Sequence, residues 1–168
     1  MTRAPHRMAA IEGASGASAQ ALLADAAVRW RNSGIRVVGL IAEEHSLPDR
    51  TCAAGFLRDI VSGARHSIYL AEPPRDTSCH LDASGAEKAA AALIGQIAAC
   101  DLVVLSKFGK LEASGGGLVP AFTAAQAAGK PVLTAVSSLH CAAWRAFAPG
   151  AVALPPAAGA LDDWWVSH

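Results

Sequence analysis

The chain has 168 residues, 52% of them hydrophobic and 17% charged, with 14 basic side chains against 14 acidic ones. That length builds one domain, residues 1–168, with a sizeable core, and so low a charge excludes a disordered chain. Net neutrality leaves no basic footprint for nucleic acid and no acidic surplus for a cationic partner.

The start, MTRAPHRMAA, lacks an apolar run of signal length, and residues 1–7 read as a tail. No segment reaches 18 apolar residues, so membrane insertion and secretion are not expected and a cytoplasmic location follows. Met8 to Ile11 reads as a short buried strand. Ser18 to Arg31 is a helical window with Leu22, Ala26 and Trp30 spaced by four, stopped at Gly34. Ile35 to Ala42 is a continuous apolar run, the pattern of a strand covered on both faces.

The middle of the chain mixes short β-like runs with turn signals. Phe56–Ile60 and Ser67–Leu70 flank VSGAR, in which Ser62-Gly63 suits a hairpin turn, and Pro73-Pro74 ends the regular structure. Ser84, with Glu87 three residues on, predicts a capped helix running to about Ala99. Asp101–Ser106 is the clearest central strand, followed by the loop KFGKLEASGGG and a helix over Leu118–Ala128. KPVLTAVS is another buried strand, Leu139–Phe147 a short helix, AVAL an edge strand and Leu161–Val166 a last helix. Parallel-type strands alternating with helices describe a doubly wound, mostly parallel α/β domain with a β-hairpin insertion.

Two loops carry candidate chemistry. The first is AIEGASGASAQALL, a strand running through small residues into a helix, where backbone N–H groups meet the positive end of a helix. Gly13, Ser15, Gly16, Ala17 and Ser18 are its candidate anion contacts. The phosphate-loop pattern GxxxxGK[ST] fails, because Ser18, Ala19 and Gln20 stand at its last three positions. Without the lysine, charge developing on a transferred phosphoryl group goes uncompensated. The loop is thus either an anion or nucleotide site or a turn whose small residues allow close helix–sheet contact.

The second is DLVVLSKFGKLEASGGGL. Ligands of open parallel sheets bind beyond the carboxyl ends of the strands, where Ser106, Lys107 and Lys110 fall. These lysines supply the cation missing from the first loop if the two segments meet; otherwise they are solvated, with Glu112 a partner for Lys107. Phe108 reads as a core anchor. Gly115–Gly117 is a second anion nest or a flexible link. Asp101 lies at the other end of its strand.

Other groups are less specific. Cys52, Cys79, Cys100 and Cys141 form no CxxC pair and read as free thiols, while Cys79-His80 and His140-Cys141 together make a soft-metal hypothesis. Glu43, Glu44 and His45 follow the second strand; Arg50, Arg58 and Arg75 are anion candidates. Trp164 and Trp165 cannot both face one way on a helix, so one is expected to serve a homodimer or partner surface.

The two loops, together with CHLD at Cys79–Asp82 and GKPVLTAVSSLHCAAWRAFAPG, resemble the DUF2478 family of bacterial proteins, often encoded near molybdenum-uptake genes. That family distantly resembles the THEP1-like P-loop nucleoside triphosphatases, which implies a P-loop-like three-layer sandwich. In those enzymes the strand matching 101–106 ends in acidic residues that organise magnesium; here Ser106 and Lys107 stand there, with Gly109 and Glu112 retained. The resemblance implies a scaffold kept without its lysine or metal ligands, binding a nucleotide or an oxyanion such as phosphate or molybdate, with no orthodox hydrolysis. The alternatives are a weak triphosphatase using Glu43, Glu112 or Asp82, and a partner-binding protein with no small ligand.

Overall fold

Strand residues that alternate between two apolar faces need helices on both sides of the sheet, and this chain supplies them. The computed structural model describes residues 7–44, 54–69 and 81–168. Its strands are β1 (Met8–Ile11), β2 (Val37–Glu44), β3 (Ala54–Asp59), β4 (Arg65–Ser67), β5 (Leu102–Leu105), β6 (Val132–Ala135) and β7 (Val152–Leu154). They lie in one sheet in the order β4-β3-β2-β5-β6-β1-β7. Five strands are parallel, and the β3–β4 hairpin adds two antiparallel ones outside β2.

The helices are α1 (Gly16–Asn32), α2 (Ala83–Ile97), α3 (Lys110–Ala113), α4 (Val119–Ala127), α5 (Cys141–Phe147) and α6 (Ala158–Val166). On one face Ile11, Val37, Val104 and Leu133 pack against Leu23 and Trp30 of α1 and Leu161 of α6. On the other, Ala10, Leu40, Val103 and Leu105 pack against Leu93 of α2, Phe122 of α4 and Trp144 of α5. The result is the three-layer P-loop-like sandwich with an inserted hairpin. Strand residues thus alternate between two separate cores, each closed by its own helices.

Several boundaries move for local reasons. α1 begins at Gly16, two residues before the expected Ser18, because Ser15 is the N-cap and its hydroxyl accepts the N–H of Ser18. Asp82, not Ser84, caps α2, its carboxylate accepting the N–H of Ser84. Ser84 and Glu87 therefore sit inside the first turns rather than in a capping box. The hairpin turn does contain Gly63 at φ +75°, but its organiser is Asp59, whose carboxylate accepts the N–H groups of Val61 and Ser62. The expected loop after β5 contains the short helix α3.

Two sites of close approach hold the layers. A Cβ on Gly39 of β2 would lie 1.9 Å from the Val104 carbonyl oxygen of β5. At the other side of the sheet, Asp162 of α6 accepts from Trp30 Nε1 and Arg29, joining α6 to α1. Trp164 is buried and Trp165 is half-buried, its ring 6.0 Å from that of Trp30. The two neighbouring rings do face different ways, and Trp165 keeps part of its surface exposed. Arg7, assigned to the tail, donates to the Gly129 carbonyl.

Candidate functional site

β1, β5 and β6 end together at one edge of the sheet, and a cavity of about 310 Å³ opens there. Ile11, Ser106 and Ala135 line it from the three strand ends, Gly16 and Gln20 from α1, and Lys107 and Lys110 from the segment after β5. The lysines were expected to reach the first loop only if β1 and β5 were neighbours. β6 stands between those strands, yet both loops face the same cavity because all three strands are parallel and end level.

The first loop spends its serine hydroxyls on capping α1. Gly13 takes φ +83°, as the turn out of β1 requires. Ser15 and Ser18 are joined hydroxyl to hydroxyl at 2.9 Å, so both are engaged in capping the helix. The N–H of Ser18 goes to Ser15 Oγ and that of Ala19 to the Ser15 carbonyl. Gly16 and Ala17 keep N–H groups that no described residue accepts. Of the five predicted loop contacts, Gly16 lines the cavity; Gly13, Ser15, Ala17 and Ser18 do not.

Gln20 occupies the position where a phosphate loop carries its metal-binding hydroxyl. Its amide donates to the Ser106 carbonyl at 2.6 Å and its carbonyl accepts the Ala42 N–H at 3.0 Å. One side chain thereby ties α1 to the ends of β2 and β5. Gln20 carries no motif signal, and neither does Ser137, which lines the cavity with its hydroxyl 3.1 Å from His140 Nδ1. The only advance sign of Gln20 was a polar side chain in an otherwise apolar helical stripe.

Glu112 is buried and plays a structural part. One carboxylate oxygen accepts the N–H of Gly109 and the other that of Leu118, each at 2.9 Å. It forms no ion pair with Lys107. Most of the suggested nest at Gly115–Gly117 is used internally: Gly115 N–H donates to the Glu112 carbonyl and Gly116 N–H to that of Leu111, while the Glu112 carboxylate takes the N–H of Leu118 just beyond. Phe108 is the expected anchor, its ring 5.3 Å from Trp144 and 5.2 Å from Phe147.

The carboxylates considered for a weak triphosphatase are each engaged. Glu43 pairs with Arg58 at 2.6 Å and with Arg65 at 3.1 Å. Asp82 caps α2 and Glu112 clasps its loop. Among the described residues no group of three His, Cys, Asp or Glu side chains is placed to hold a metal ion. Cys141 instead donates to the Ser137 carbonyl. Cys100 is buried, which raises its thiol pKa, burial being the main cause. Cys52, Cys79, His80, His45, Arg50 and Arg75 lie outside the described residues.

The fold is that of a P-loop-like α/β protein, with Ala19 where the phosphate-loop pattern carries a lysine. The chain belongs to the family described as "Protein of unknown function (DUF2478)", which it matches over residues 8–164. It is 34% identical over 165 residues to the molybdenum import ATP-binding protein ModC 2 of Bradyrhizobium diazoefficiens; the match spans 96% of this chain but 18% of that protein. A solved human cancer-related nucleoside triphosphatase shares the fold, with a TM-score of 0.61 at 16% identity, over 88% of this chain and 87% of that one. No helix among the described residues is long and apolar enough to cross a membrane.

Proposed function

We propose that this protein binds a small anionic ligand, a nucleotide or an oxyanion such as phosphate or molybdate, without hydrolysing it, and serves as an accessory to molybdenum uptake. The observation that carries the reading is charge placement. Lys107 and Lys110 line the same cavity as Gly16 at the positive end of α1, and among the described residues neither lysine forms an ion pair. Uncompensated cations beside a helix N-terminus favour an anion.

Binding without turnover is supported by what the other groups are doing. Gln20 is locked between Ser106 and Ala42, and Glu43, Asp82 and Glu112 are committed to arginines or backbone N–H groups. None is left to orient an attacking water or to hold a metal ion against a transferred phosphoryl group. The accessory role is supported by the likeness to one part of a molybdenum import ATP-binding protein.

Calorimetric titration with ATP, phosphate and molybdate, beside a phosphate-release assay, tests the reading. At least one of these anions binds, K107Q weakens it about tenfold, as loss of a charge-assisted contact does, and no phosphate is released. Steady release that K107Q abolishes would make the protein a weak triphosphatase instead.

A further inference from the structure

The walls of this cavity are not those of a site for a bare oxyanion. Leu57 and Ile68 of the hairpin region and Leu118 before α4 are buried and line it; Leu81 and Leu111 line it half-buried. Lys107 and Lys110 line the same cavity, and among the described residues neither forms an ion pair. The single carboxylate lining the cavity, Glu112, spends both oxygens on the N–H groups of Gly109 and Leu118.

A tetrahedral oxyanion fills a small part of about 310 Å³ and asks for polar donors on most sides, which leucine and isoleucine do not offer. A nucleobase has the size but carries ring nitrogens and exocyclic groups that would go unpaired against the same wall. A hydrocarbon body leaves nothing unpaired. Cavities of this volume hold small organic molecules, with a few polar groups setting the orientation.

We infer that the occupant is an amphiphilic monoacid, with its carboxylate at Lys107 and Lys110 and a hydrocarbon chain against Leu57, Ile68, Leu81, Leu111 and Leu118. The inference rests on the anion-binding reading for the negative head group that the lysines recognise and departs from it on the ligand, a carboxylate with a chain that the leucines select in place of a nucleotide or bare oxyanion.

Titration with butyrate, hexanoate and octanoate, beside phosphate, molybdate and octanol, tests it. Each methylene tightens binding about fourfold, the ratio for burying one such group, so octanoate binds far more tightly than butyrate. K107Q weakens all three acids by one common factor. L111S and L81S, at half-buried positions, flatten the dependence on chain length by weakening octanoate more than butyrate, with circular dichroism confirming the fold of each variant. Phosphate or molybdate bound as tightly as octanoate, with a flat acid series, would overturn this inference and leave the anion reading standing. Octanol bound as tightly as octanoate and indifferent to K107Q would overturn both, as would an absence of binding by every anion.

Discussion

Gln20 and Ser106 are 86 positions apart in sequence and joined at 2.6 Å, side-chain amide to main-chain carbonyl, where β5 ends. The other end of the same amide accepts the N–H of Ala42 at 3.0 Å. Ser106 is only 2% exposed, so water does not readily replace the bond. Q20A leaves one donor and one acceptor unpaired in a part-buried place, at a cost of about 2 kcal/mol. Urea denaturation reads this as a lower midpoint at an unchanged slope. Q20E removes the donor and sets a carboxylate against the Ser106 carbonyl, so it is destabilising too, although it is nearly isosteric.

The same strut predicts that the proposed anion binding is independent of divalent metal. Gln20 stands where a metal-binding hydroxyl would be, and the nearby carboxylates are held by arginines or backbone donors. Affinity for the tightest-binding anion is therefore the same with magnesium as with EDTA. A tenfold gain on adding magnesium would show that a carboxylate leaves its partner to take the ion, contrary to this arrangement.

Elements with strong apolar periodicity were legible in the sequence. β1 was read at its observed ends, and the apolar runs at 35–42 and 101–106 gave β2 and β5 to within two residues, because strands buried on both faces leave no polar interruption. Less legible was Glu112: with its segment read as a loop, its charge pattern suggested an ion pair with Lys107, whereas it stands at the third position of α3 and accepts the N–H groups of the cap residue Gly109 and of Leu118. The site was half legible: Gly16, Lys107 and Lys110 share a cavity, but the insertion of β6 between β1 and β5, and the bridging by Gln20, are facts of topology. The Ser84 cap was misplaced because the helix already starts at Ala83 with Asp82 as its cap, so that Ser84 N–H is a donor to the cap.

Glu112 and Gly117 depend on each other. Gly117 takes φ +60°, and a Cβ there would come within 2.3 Å of a Glu112 carboxylate oxygen. G117A therefore combines backbone strain with displacement of the carboxylate from its donors, and costs about 3 kcal/mol. E112Q exchanges one acceptor for an NH₂ group that faces another N–H, a loss of about 2 kcal/mol. The double variant falls short of the sum, since the carboxylate displaced by G117A has already lost its bonds. A double-mutant cycle by chemical denaturation measures that shortfall, and strict additivity would mean the two residues act separately.

The pole of the sheet opposite the cavity carries a pH dependence of its own. Asp101, just before β5, accepts from the Arg36 guanidinium at 2.7 Å and from the Arg36 N–H at 2.9 Å, bringing β2 and β5 into register. The side-chain hydrogen bonds from Arg36 are the main cause that holds its carboxyl down at about 2, below its ordinary 3.8. The folded state binds the proton more weakly than the unfolded chain does. The stabilisation is therefore complete above about pH 4 and is lost as pH falls through 2. D101N removes the charge and weakens the pair at neutral pH. The stability gap between D101N and the parent is constant from pH 7 to about 4, then closes toward pH 2. Denaturation curves across that range check the prediction. A gap that widened on acidification would mean that Asp101 is not the acceptor holding Arg36 in the folded protein.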